Sequence, residues 1–276
     1  YPRQARKTCL GLLGAGQMMF LKIMIATDED PSDLDALLDA LNDRVDPNSD
    51  LTIIPGMVSD ALEPASTFEN VQSKLIIDTT KIIPSDPRSG TPLEGSFVEE
   101  CPAWRRGEEE PPKISEHLLE EISKIPEVED CRMLRNSMLV VTVDFEGRPN
   151  PRTGSHWPDE ENAAAKVKKI NQLRKSIWQL DSQTAIRWLF ITDNDLDLHG
   201  DGAKRRLLWQ LTSRFAVERD FIVENGRICW DATTPIPSLE GETPVRRWPA
   251  ITMHDPETLE AIERFDLPPW PNNLVM

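Results

Sequence analysis

Residues 21–28 read LKIMIATD and residues 186–193 read IRWLFITD. Each is a nearly unbroken apolar run closed by an acidic residue, the way a strand buried on both faces of a sheet reads. The two runs lie 165 positions apart. Further out, Leu37-Leu38, Arg44 and Asp50 return as Leu207-Leu208, Arg214 and Asp220, at an offset of 170. The segment LIIDTT (75–80) returns as ICWDAT (228–233), at an offset of 153. Three anchors in one order, with drifting offsets, describe a duplicated unit whose loops have changed length.

The segments between the anchors fill in an α/β unit. Residues 3–19 read as a helix. Pro31-Ser32-Asp33 opens a second helix reaching about residue 45, with Leu34, Leu37, Leu38 and Leu41 on one face. LTII (51–54) and SKLIIDTT (73–80) are strands. Residues 84–112 are rich in proline and acids and read as a linker or surface excursion. Residues 114–125 look helical, SMLVVTVD (137–144) is a strong strand, and 162–181 is a long helix. The series then repeats as a strand at 186–192, a helix at 203–215 and strands at 220–224 and 227–232. A proline-rich tail from Pro235 carries one short helix near 256–264.

Strands alternating with helices predict an α/β fold of two related domains with largely parallel sheets. The first copy spans 1–100 and the second 113–276. The second copy has a strand before its long helix, whereas the first begins at its helix. A matching strand is expected before Tyr1, so the chain reads as part of a longer protein.

Composition narrows the function classes. There are 31 Lys and Arg against 47 Asp and Glu, a net charge of −16. Such a chain tracks a phosphate backbone only through a local basic patch. The best basic stretch, Lys166 to Lys175, lacks interleaved aromatics and reads as the solvated face of a helix, so no nucleic-acid partner is expected. Of the four cysteines, Cys9 and Cys229 fall on a helix and a strand as small core residues, while Cys101 and Cys131 complete no CxxC spacing. A reducing cytoplasm is the expected setting. No apolar run is long enough to span a bilayer.

Several motifs could carry chemistry. Asp28-Glu29-Asp30 and Asp193-Asn194-Asp195 follow apolar strands at the sheet edge where α/β proteins bind ligands. A DxD there can hold a divalent metal and a nucleotide-sugar phosphate, so a metal-dependent glycosyltransferase is the rival enzyme reading. The structural alternative is that these acids cap the following helix. Asp193, Asp195, Asp197, His199 and Asp201 alternate like a calcium loop, but Leu198 and Lys204 replace its glycine and glutamate, leaving a surface loop. Gly11, Gly14 and Gly16 spell GxxGxG before a strand rather than after one, so close helix packing is the expectation, not a dinucleotide site. His117, His156, His199 and His254 are scattered without a matching nucleophile. Arg44 and Arg214 end equivalent helices, where a cation suits the helix dipole, and are expected to pair with Asp50 and Asp220.

Four stretches in order resemble the C-terminal region of the UbiD decarboxylase family. They are ARKTCLGLLGAGQMMFLKIMIATDED (5–30), NDRVDPNSDLTII (42–54), LEPAS (62–66) and SKLIIDTTKIIP (73–84). The resemblance covers about residues 1–84; 137–233 is similar more loosely, as in the longer members linked to menaquinone-type pathways. It implies a prenylated-FMN-dependent aromatic acid carboxy-lyase of quinone biosynthesis, with a divalent metal and a Glu-Arg-Glu set in an N-terminal flavin-binding portion. That portion has no counterpart here. No catalytic residue, metal or cofactor is therefore expected on this chain alone, and the resemblance implies a homo-oligomer-forming, active-site-closing role. The loop that would bring apolar side chains to the substrate is 57–62, with Met57, Val58 and Leu62. A pure oligomerisation module is the non-enzyme reading.

Overall fold

A computed structural model describes residues 4–82, 104, 109–144, 160–235 and 256–264. The chain divides into two compact units, Tyr1–Arg148 with Trp157–Trp248, and Pro149–His156 with Pro249–Met276. In the second unit the described element is a helix, Pro256–Glu263. All that follows concerns the first.

The chain begins with α1 (Gln4–Leu13) and a 3₁₀ turn, Gly16–Phe20. The single helix expected over 3–19 is thus broken at Gly14-Ala15, and Gly16 takes a left-handed φ of 50°. A Cβ on Gly11 or Gly16 would meet nothing within 4 Å and one on Gly14 only the Gly11 carbonyl at 3.6 Å, so no neighbouring element packs closely on these glycines. Next come β1 (Ile23–Ala26), α2 (Leu34–Arg44), β2 (Leu51–Val58) and β3 (Val71–Asp78). Asp33 caps α2 by accepting the Ala36 amide at 3.0 Å, which typically stabilises a helix by about 1 kcal/mol. After the intervening segment come α3 (Glu116–Ile122), β4 (Val128–Arg135), β5 (Met138–Val143) and α4 (Glu160–Leu180). The series ends with β6 (Trp188–Asp193), α5 (Ala203–Ser213), the single turn α6 (Val217–Asp220), β7 (Phe221–Glu224) and β8 (Arg227–Asp231).

These strands form two mixed sheets, of order β1-β3-β2 and β4-β5-β6-β8-β7. Strand β1 runs parallel to β3, and β5, β6 and β8 run parallel to one another. The outer strands β2, β4 and β7 are antiparallel to their neighbours. The expectation of largely parallel sheets is therefore not met: the β1-β3, β5-β6 and β6-β8 pairings are parallel and the other three are antiparallel. For β4 and β7 the reason is connection length. Asn225-Gly226, both with positive φ, turn β7 directly into β8, and Asn136-Ser137 joins β4 to β5, whereas parallel pairing needs a longer crossover such as α4.

The first sheet and the β6-β8-β7 part of the second share strand order and pairing sense. The sequence offsets carry one register onto the other. Ile23 pairs with Leu75 as Trp188 pairs with Ile228, and Leu51 pairs with Ile77 as Phe221 pairs with Trp230. One core joins the two sheets, and equivalent positions fall in it together: Leu41 and Leu211, Val45 and Phe215, Leu75 and Ile228, Ile77 and Trp230. The other face of the second sheet is covered by α3 and α4 through Ile122, Ile170, Leu173 and Ile177. The other face of the first is covered by α1, where Cys9 and Leu13 meet Ile76.

Candidate functional site

The loop between β2 and β3 is where an apolar surface is presented on a buried, hydrogen-bonded base. A register shift between Ile54 and Met57, with Gly56 at φ 65°, bends the end of β2. Met57 and Val58 then rejoin β3 opposite Gln72 and Val71. Beyond them the chain is pinned. The Ser59 amide donates to Asn70 O at 2.8 Å, and the Ser66 hydroxyl donates to Glu63 O at 2.9 Å. Ala65, Ser66 and Thr67 are buried.

Further pins come from the second half of the chain. The Thr67 hydroxyl donates to Glu218 at 2.7 Å, and the same carboxylate accepts the Ser73 amide at 3.0 Å. Lys22 pairs with Glu63 at 3.1 Å and donates to Phe215 O at 2.8 Å. Burial disfavours the charged form of both Lys22 and Glu218. It leaves the Lys22 ammonium below its ordinary pKa, whereas the Thr67 and Ser73 donors hold the Glu218 carboxyl below the usual carboxylate range. At the tip an Asx turn from Asp60 to the Leu62 amide holds Leu62 at 86% exposure. Phe68 (55%), Val58 and Val71 are also exposed, so apolar side chains crowd one end of this hairpin.

The acidic tips are occupied by protein donors. Asp193 accepts Arg214 at 3.0 Å and the Thr234 amide at 2.7 Å, and Asp195 accepts Arg214 at 2.8 Å and Gln210 at 3.0 Å. Asp28 accepts the Lys81 amide at 2.6 Å, Asp30 accepts Ser32, and Glu29 pairs with Arg44. Neither tip caps a helix: Asp33 caps α2, and Gly202 stands at the start of α5 without a side-chain cap. Arg44 and Arg214 thus reach the acids after β1 and β6. Asp50 and Asp220 instead accept the backbone amides of Asp46 and Ala216, both at 2.8 Å, closing equivalent turns. No side chain in the sequence advertised that role, because an acid accepting an amide four residues back looks like any loop carboxylate.

Among the described residues no group of three or more His, Cys, Asp or Glu could hold a metal ion. His199 meets Asp130 at 3.1 Å on the surface, His117 lines an open cleft of 520 Å³ beside α3, and His156, His254 and Cys101 lie outside the described residues. Asp197 accepts the amides of His199 and Gly200, making the calcium-like stretch an ordinary turn. The basic stretch of α4 is not wholly solvated. Lys166 is buried and donates to Thr234 O at 2.6 Å, and Arg174 is buried against Glu224. No described helix is long and apolar enough to cross a membrane.

Comparison with known proteins finds a family match for residues 1–79. Residues 1–79 match the family described as 3-octaprenyl-4-hydroxybenzoate carboxy-lyase C-terminal domain, UbiD_C. A phenolic acid decarboxylase of Sedimentibacter hydroxybenzoicus is 36% identical over 72 residues, which cover 25% of this chain and 15% of that protein. One from Escherichia coli O157:H7 is 34% identical over 82 residues, 30% of this chain and 17% of that protein. The vanillic acid decarboxylase of S. hydroxybenzoicus, solved in an open form, is 30% identical with a TM-score of 0.31, over 39% of this chain and 23% of that one. The matched segments thus span less than a quarter of the length of those decarboxylases.

Proposed function

We propose that this chain is the C-terminal assembly and active-site-closing part of a UbiD-like aromatic acid decarboxylase, built from two copies of one α/β unit. The family match over residues 1–79 carries the reading. The duplication is supported by shared strand order and by a pairing register that the sequence offsets reproduce. The whole protein would act in the cytoplasm on aromatic acids such as quinone precursors, with an N-terminal flavin-binding domain and further copies of itself as partners.

The prenylated flavin would supply the electron sink for the carbanion left when carbon dioxide departs. Among the described residues no group of three or more His, Cys, Asp or Glu could hold its metal, and Asp193 is taken by Arg214 and Thr234. The part of this chain is a wall. The buried base at Ala65–Thr67 holds Met57, Val58 and Leu62 where they would cover a neighbouring site, exclude water and press an aromatic ring into place.

In the full-length protein, Leu62→Asp should lower kcat/KM for its aromatic acid by at least tenfold, about 1.4 kcal/mol of barrier, with flavin content unchanged. Leu62→Met should restore it. An unaltered rate for Leu62→Asp refutes the lid, and a full-length protein that decarboxylates no aromatic acid refutes the family activity.

A further inference from the structure

The following rests on the reading of the chain as two copies of one unit. We infer that the copies close on each other as a pseudo-homodimer within one chain, through a self-association face, and that the second copy has been fitted to this position so that like copies no longer pair there.

Cross-copy contacts come in reciprocal sets, the mark of an isologous interface. Lys22 reaches the carbonyl of Phe215 just beyond α5, and its counterpart Arg187 reaches the carbonyl of Asn42 in the last turn of α2. Glu218 accepts the amide of Ser73. The counterparts of these two are Asn48 and Gly226, and the Asn48 amide nitrogen lies 3.8 Å from where a Cβ on Gly226 would stand. Lys204 pairs with Asp35, and these positions are one residue from being each other's counterparts, so this contact sits near the pseudo-two-fold axis. A head-to-tail contact would not return the same pair of surfaces.

The symmetry is broken in side-chain size. Where the first copy has Val45, Leu51 and Ile77, the second has Phe215, Phe221 and Trp230 in the same core. The Trp230 ring lies 4.6 Å from Phe215 and 5.4 Å from Phe221. Two first copies brought together would leave this volume unfilled, and two second copies would overfill it, both destabilising in a close-packed interior. Any association of the chain with further copies then uses a different surface.

The test inserts a protease site between residues 84 and 103 of the full chain, cleaves after folding and weighs the product under native conditions. The expected result is one particle holding both pieces 1:1, which does not exchange pieces with a tagged cleaved copy. Separation, or re-sorting into like pairs, overturns the inference. In the cleaved protein Trp230→Ile with Phe215→Val should raise the dissociation constant at least tenfold, and Trp230→Phe should shift it less in the same direction. No shift for either overturns the fitted face. No activity is read, so failure here leaves the decarboxylase reading standing, and a silent Leu62→Asp leaves the pairing standing.

Discussion

Lys74 is fully buried on β3, and its ammonium has no hydrogen-bond partner among the described residues. Arg227, which the sequence offset of 153 sets at the matching strand position on β8, is longer and forked, and donates to the carbonyls of Trp178 and Asp181 at the end of α4 at 3.1 and 2.9 Å. Matching positions on β3 and β8 thus hold an unsatisfied and a satisfied cation. Burial, only partly opposed by Glu63, depresses the Lys74 pKa below its ordinary 10.5. A lysine whose folded pKa is lowered destabilises the fold at neutral pH, because the unfolded chain holds the proton more firmly. The penalty is relieved as pH rises through the folded value towards 10.5. Lys74→Met should therefore stabilise the protein at pH 7 by about 1 kcal/mol, since an unpaired buried polar group is replaced by an apolar one of similar shape. Thermal melts at pH 7 and pH 10 check this; a gain that does not shrink at the higher pH would show that the ammonium is not the cause.

At the scale of elements, the single turn α6 ties the second half of the chain to β3 and the loop before it. Glu218 carries that tie, and its carboxyl is held below the usual range by Thr67 and Ser73 against its burial. A lowered carboxylate pKa contributes stability that is complete above the unfolded value near 4.5 and lost as pH falls through the folded value. Glu218→Gln should cost about 1 kcal/mol at pH 7, a cost that shrinks as pH falls through the folded value, and should speed amide exchange in the loop before β3 while leaving β8 protected. Neither α6 nor β4 was legible in the sequence. Four residues are too few to show a helical period, and VEDCRMLR sets charged residues on an outer strand whose apolar faces are only half covered. The inner strands were legible because burial on both faces leaves an unbroken apolar run. The pairing sense of the outer strands was not: a two-residue turn forces it for β4 and β7, whereas the twelve-residue connection 59–70 leaves it open for β2. Leu62 became a candidate through family resemblance, and only the coordinates show that it stands outside a loop whose base is buried.

For the whole molecule, the consequence of one shared core is cooperativity. Leu75 and Ile77 of the first copy and Ile228 and Trp230 of the second are buried in the same cluster. Neither copy can shed its half without exposing the other's, and burial of apolar area is the dominant stabilising contribution to a fold. The Trp188 and Trp230 reporters sit in the second copy, at 1% and 6% exposure, so their fluorescence registers a loss of packing that begins in the first. Leu75→Ala, a cut confined to the first copy, should remove about 2–5 kcal/mol and lower the urea midpoint seen by those tryptophans by the same amount as the midpoint seen by far-ultraviolet circular dichroism. Two copies that were merely tethered would behave differently. The tryptophan transition would stay in place while part of the dichroism signal moved to lower urea, giving two midpoints from one chain. Coincident transitions that shift together would mean that the first copy, the half that matches the UbiD C-terminal family, is stabilised by the second copy filling its apolar face. Leu62 would then be held in place by packing some 150 residues further along the chain, through Glu218 and Thr67.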